Sequence, residues 1–246
     1  MRSIAFARAV DMSSSNKPEL RIDWATHEAA KYACEHWHYS GCMPAGKLVK
    51  IGAWESGTYV GCVLFGLGAT PNLSKSYSLP MTQCCELVRV ALRSHQTPVT
   101  RIIALSIRML RIKCPGVRMI VSFADTQQGH HGGIYQAGNW VYSGSANLDC
   151  WVINGERMHP RSVVAKYGSQ SQARVLSIDP NARKIWGIKH RYLMPLDDEM
   201  RARILPLAQP YPKRPKQATP ETIGEAAGQN RPGRSNLSTA GTAEPA

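Results

Sequence analysis

What this chain of 246 residues lacks narrows it first. No uninterrupted apolar run approaches the ~18–20 residues that span a bilayer, so no membrane-spanning segment is expected, and no membrane is expected among the partners. The amino end, MRSIAFARAVD, turns polar too soon for a secretory signal, and a cytoplasmic protein is expected. The seven cysteines (Cys34, Cys42, Cys62, Cys84, Cys85, Cys114 and Cys150) are odd in number and contain no C-x-x-C pair. Neither a disulfide framework nor a zinc ribbon follows, and small buried apolar side chains are expected instead. Acidic residues are scarce, 17 against 30 Lys and Arg, which leaves a formal +13. Such an excess argues for a polyanionic partner, nucleic acid or an acidic membrane surface, which the charge alone does not separate. A hydrophobic content of 43% excludes a wholly disordered chain.

From Gln209 the composition shifts to Pro, Gly, Ala and Thr, so residues 209–246 read as a disordered tail. Five Lys/Arg and three Asp/Glu lie in that tail, so +11 of the +13 belongs to residues 1–208. The division expected is an amino-terminal segment 1–20, a folded catalytic domain 21–208 and the tail. Within the domain, Trp24, Glu28 and Tyr32 recur at helical spacing and predict a helix over 24–38. Segments 47–54 and 58–66 flank Glu55-Ser56-Gly57 as a hairpin. Residues 67–82 form a long loop, 84–92 the best central strand, and 99–114 a largely buried helix ended by Pro115-Gly116. A strand over 117–124, a short helical segment over 129–138 and strands at 141–142 and 150–153 complete a mixed α/β sheet.

The strand VSFAD (121–125) runs into a short helix carrying Tyr135, closed by Gly138-Asn139-Trp140. Strand, helix and G-polar-aromatic resemble the closing half of the GCN5-related N-acyltransferase fold, a mixed sheet flanked by helices in which such a tyrosine lies beside the acyl donor. The loop Arg93–Arg101 stands where that fold cradles a coenzyme pyrophosphate. The resemblance makes His95, Thr97, Thr100 and Arg101 its cofactor-binding candidates. The glycine-rich R-x-x-G-x-G/A of that fold is missing here, so a donor other than acetyl-CoA stays open.

A closer resemblance is carried by HWHYSGCMPAGKLVKIGAWE (36–55), FGLGATPNL (65–73), CCELVRVAL (84–92), IVSFADTQQGHHGGIYQAGNWVYSG (120–144) and KHRYLMPLD (189–197). Together these blocks resemble the Mom family of phage DNA-modification proteins. The resemblance implies conversion of adenine in double-stranded DNA to an N6-carbamoylmethyl derivative in the host cytoplasm, protecting the phage genome from restriction. That product joins N6 to a CH2 carbon, so plain acetyl transfer does not suffice. Rearrangement of a transferred aminoacyl unit, from a glycine-derived donor, or a metal-dependent step is required, and the family implies iron. Carried onto this chain, the metal candidates are His38, Tyr39, Asp125 and Tyr135. The catalytic candidates are Tyr39, Asp125 and Tyr135.

Glu86 and Arg89 interrupt an apolar strand, where charge is costly unless matched. Three apart, they fall on opposite faces of a regular strand. They are read as catalytic helpers, Glu86 taking a proton from the exocyclic amine and Arg89 holding a donor carbonyl or phosphate, or as an internal ion pair. Adenine N6 is paired inside a duplex, so the base must be extruded. The loop at Pro71-Asn72-Leu73 and the basic stretches with Arg161, Lys166, Lys189 and Arg191 are the DNA-binding candidates, a solvated basic face being the plain alternative. Two other functions remain open: a coenzyme A-dependent N-acetyltransferase of a protein or small amine, and a non-catalytic basic DNA-binding module.

Overall fold

The computed structural model describes residues 17–214 apart from 69–72 and 159. One sheet of eight strands organises them. Its strands are β1 (Leu20–Trp24), β2 (Leu48–Glu55), β3 (Thr58–Gly66), β4 (Cys84–Leu92), β5 (Met119–Asp125), β6 (Val141–Ile153), β7 (Glu156–Met158) and β8 (Arg183–Pro195), in the order β1-β2-β3-β4-β5-β8-β6-β7. The helices are α1 (His27–Trp37), α2 (Val99–Lys113), α3 (Gly133–Gln136), α4 (Pro160–Tyr167), α5 (Gln172–Ile178) and α6 (Asp198–Ile204). No helix of the described residues is long and apolar enough to cross a membrane.

The expected first helix is shorter at its start. Trp24 closes strand β1 and is exposed, Tyr32 is exposed as well, and the Thr26 side chain caps α1 by accepting from Ala29 N–H at 3.1 Å. The buried stripe of α1 is Ala30, Ala33 and Cys34. Small side chains let the helix lie close on Cys62, Leu64 and Ala91 of the sheet. Helix α2 covers the other face with Ile102, Ile103, Ile107 and Leu110, against Ile51, Val63, Phe65 and Ile120.

The 141–153 region forms one strand rather than two, bent where Gly144 (φ +91°) allows a register shift between Tyr142 and Ser145. Strand β8 slots between β5 and β6 and pairs antiparallel with both. Beyond position 208, Gln209 N–H donates to Tyr142 O (2.8 Å) and the Tyr211 hydroxyl to Trp140 O (2.7 Å), so the chain stays on the core through these residues. Residues 215–246, most of the expected tail, lie outside the described residues, as do Pro71 and Asn72 of the long loop. Cys34, Cys62, Cys84, Cys85 and Cys150 are buried free thiols.

Two features of β4 shape everything that follows. Arg89 pairs with Leu64 and Leu87 with Phe65, so Val88 is an extra residue, a bulge on β4. The bulge reverses alternation. Cys85 and Leu87 before it, and Val90 and Leu92 after it, pack into the same α2-side core, whereas Ala91 lies under α1. Glu86 and Arg89 therefore share the α1 face, correcting the expectation of opposite faces. The second feature is a split. Parallel pairing of β4 with β5 covers only Cys84, Cys85 and Glu86 against Met119, Ile120 and Val121. Beyond that point β4 follows β3 and β5 follows β8.

Candidate active site at the split between β4 and β5

Where the strands part, Ser122 occupies the gap. Its hydroxyl stands 2.9 Å from Leu87 O and 2.8 Å from the Tyr135 hydroxyl. It carries one proton and serves these two acceptors in alternation. When that proton faces Tyr135, the phenol's own O–H is released toward the gap. Tyr135 sits on α3, its ring stacked on Tyr192 at 5.0 Å and edge-on to Trp140 at 5.1 Å. Burial pushes its pKa up to about 12, against the pull of the Ser122 hydrogen bond, with Tyr39 and Glu86 adding to the rise. Tyr135 is therefore a neutral donor at physiological pH.

Across the gap Asp125 ends β5 and caps the turn after it, accepting from Gln127 N–H at 3.0 Å. It is 8% exposed, with Arg157 Nη2 3.8 Å from its other oxygen. Tyr39 enters from the end of α1, its ring 4.2 Å from that of His38 and 5.2 Å edge-on to His130. The Tyr39 ring is half exposed, but shelter of its hydroxyl raises its pKa, opposed by Arg89 and reinforced by Asp125. Arg89 reaches the same place from the bulge. Its Nη1 donates to Val88 O at 3.2 Å, and its Nε is buried with no hydrogen-bond partner among the described residues. Glu86 lies beside Gly68, where a Cβ would come within 3.1 Å of its Oε2.

His38 shows why the expected iron set does not fit. Its Nδ1 accepts from Ser40 N–H at 3.1 Å, and a backbone N–H only donates, so the ring proton stands on Nε2. Both tyrosines are held protonated, and Tyr135 is engaged with Ser122. Among the described residues no three His, Cys, Asp or Glu side chains gather as a metal site. As the side chains stand, neutral donors and one carboxylate meet here rather than an open imidazole and oxyanion set, an arrangement that does not suit iron.

Burial, with Arg89 and His130 adding, lowers the His38 pKa to about 4. Below the ordinary value of about 6.5 the unfolded chain binds a proton that the folded chain refuses. Stability should be insensitive to His38 above pH 6.5 and fall between about 6.5 and 4, by on the order of 2 kcal/mol. Urea titrations across that window should show a flatter acid limb for His38→Asn; identical limbs would refute the assignment.

The phosphate-loop candidates are arranged differently. Gln96 and Thr97 N–H both donate to the Glu55 carboxylate, Gln96 N at 3.0 and 3.2 Å from its two oxygens. His95 Nδ1 lies 2.7 Å from Arg93 O, while Thr100 and Arg101 stand in the first turn of α2. Among the DNA-binding candidates, Lys189 is the cross-strand partner of Asp125. The Arg191 guanidinium is turned inward, donating to Ser143 Oγ (3.0 Å) and Ser143 O (3.2 Å). Lys166 on α4 meets Glu156 at 3.5 Å, and the Arg161 side chain lies outside the described residues. Sequence reasoning missed Ser122 and Glu55. The one signal for Ser122 was a hydroxyl inside the apolar run MIVSFA; Glu55 read as part of a hairpin turn.

The Mom protein family matches residues 19–213. Methylcarbamoylase mom of Escherichia phage Mu is 27% identical over 203 residues, covering 79% of this chain and 84% of that protein. Among solved structures, a putative phosphinothricin N-acetyltransferase is 10% identical with a TM-score of 0.44, covering 73% of this chain and 100% of its own. The putative acetyltransferase yncA from Salmonella typhimurium, with its cofactor acetyl-CoA, is 11% identical with a TM-score of 0.44, covering 73% and 95%.

Proposed function

The chain belongs to the Mom protein family, and from that premise we propose that it is a transferase that modifies the N6 amino group of adenine in double-stranded DNA, giving N6-carbamoylmethyl adenine and shielding a phage genome from restriction. The observation that carries the chemistry is Arg89, a cation placed by a bulge at the split with a buried Nε that has no partner among the described residues. A buried unpaired donor persists at a cost of about 1–3 kcal/mol, which a bound acyl oxygen would relieve.

The residues divide the work as follows. Adenine, extruded from the duplex, presents N6 to the acyl carbon of the donor. Arg89 holds the acyl oxygen as charge develops on it. As the N6–C bond forms, Asp125 or Glu86 takes the N6 proton. As the bond to the leaving group breaks, Tyr135 supplies its proton, with Ser122 positioning the phenol. A glycine-derived aminoacyl group on N6 is an isomer of the carbamoylmethyl group: rearrangement breaks the N6–C(O) and CH2–NH2 bonds and forms N6–CH2 and C(O)–NH2, so the product is reached without an oxidant or reductant. The excess of Lys and Arg, Lys189 beside Asp125 included, suits the phosphate backbone.

The test is mass spectrometry of nucleosides from DNA of cells expressing the chain, after feeding isotope-labelled glycine or acetate. A carbamoylmethyl adenine labelled from glycine is expected; unmodified adenine would sink the reading. Tyr135→Phe keeps the stacked ring and removes the proton donor, and should lower product yield about 100-fold. Yield equal to the parent's would remove Tyr135 from the chemistry.

A further inference from the structure

The loop between β4 and α2 has the form of an anion site. A strand ends, two successive N–H groups (Gln96 and Thr97) turn to one point, and α2 begins at Pro98 with no side-chain cap and no acidic residue in its first turn. Backbone N–H groups beside a helix start hold phosphates in this way. Here the place is taken. Glu55, the last residue of β2 and 41 positions before Gln96, sends its carboxylate across from a hairpin whose turn is Ser56 (φ +46°) and Gly57 (φ +81°). Thr97 is buried beneath the contact. Although burial alone would raise the Glu55 pKa, the hydrogen bonds from Thr97 and the Gln96 backbone hold it below the usual carboxylate value, so the group stays charged.

We propose that Glu55 is a specificity-determining residue, a tethered anion that denies these N–H groups to donors carried on a phosphate or pyrophosphate, coenzyme A among them. A carboxylate attached to the same chain competes at high effective concentration. A phosphate arriving beside it would meet a like charge. The donor is then gripped at its acyl end by Arg89 and Tyr135 rather than by a nucleotide handle at this loop. For its meaning this rests on the transferase reading above; its test does not, because it measures binding in the absence of DNA.

The experiment titrates inorganic pyrophosphate and coenzyme A into the full chain and into Glu55→Ala and Glu55→Gln, by calorimetry and by the amide resonances of Gln96 and Thr97. The parent chain should show no saturable binding at millimolar ligand and no movement of either amide. Glu55→Ala should bind pyrophosphate at least about tenfold more tightly, with both amides shifting. Coenzyme A binding by the parent with those amides shifted, or a folded Glu55→Ala that gains nothing, overturns the proposal. If Glu55→Ala does not fold, Glu55→Gln decides, since it keeps an acceptor and removes the charge: a tenfold gain supports the proposal and no gain overturns it. Absence of modified adenine in cells would sink the DNA reading and leave these binding results standing.

Discussion

Arg89→Met should lower carbamoylmethyl-adenine formation about 1,000-fold while leaving the fold as stable as before or up to about 1 kcal/mol more stable. The two effects have one cause. The guanidinium sits where the Val88 bulge turns it toward the split, donating to its own strand's carbonyl and leaving Nε buried without a partner among the described residues. Methionine fills similar space without that buried donor, so stability need not fall. The lost activity reflects the missing cation at the acyl oxygen, where a preorganised donor in a sheltered site matters most. Nucleoside quantification and urea unfolding on the same preparation decide the matter. Activity within tenfold of the parent would remove Arg89 from the reaction; a loss of stability beyond 2 kcal/mol would make it a structural residue.

Gly132→Ala should destabilise the chain by about 3 kcal/mol and reduce activity with it. Gly132 precedes α3 at φ +84°, and a Cβ there would stand 2.3 Å from the ring and hydroxyl of Tyr192. Tyr192 has no room to retreat. It is wholly buried, stacks on Tyr135, donates to His131 O at 2.7 Å and accepts from Gln136 Nε2 at 3.1 Å. The displaced element is then α3, which carries Tyr135. Gly129→Ala is the control: Gly129 is also left-handed, at φ +70°, but has nothing within 4 Å of an added Cβ. It should cost only about 1 kcal/mol, the backbone strain alone. At about 2–4 °C per kcal/mol, thermal melts separate the two variants. Equal shifts would mean that Tyr192 yields and that the α3 seat is soft.

The hairpin of β2 and β3, the central strand β4 and helix α2 were legible to within a residue or two, because the strands are apolar runs bounded by turn residues and the helix is a long apolar segment stopped by Pro115-Gly116. Strand β1 was not. Five residues, LRIDW, are too few to outweigh the helical spacing of Trp24, Glu28 and Tyr32, and only pairing with β2 makes them a strand. Strand β8 was not delimited either, since Arg183, Lys184, Trp186 and Ile188 are exposed and Ile185 only partly buried, so no clear alternation marks its first half. Of the candidate site, Asp125 and Tyr135 were legible because they end a strand and sit on the short helix after it. Ser122 was not, because its two partners lie 13 and 35 positions away.

The sequence by itself determined the cationic excess, the mixed α/β order of elements and the family to which the chain belongs. These are sums and local periods, properties that survive in an unfolded chain. Only the tertiary structure decided which side chains meet. One extra residue in β4 places Glu86 and Arg89 on the same face, against simple alternation. A backbone N–H at Ser40 sets the His38 tautomer and, with two protonated tyrosines, removes the fit for iron. A carboxylate from β2 takes the N–H groups that a phosphate would need. Each depends on register or on contacts made by folded backbone, and neither residue type nor spacing encodes those until the sheet has formed.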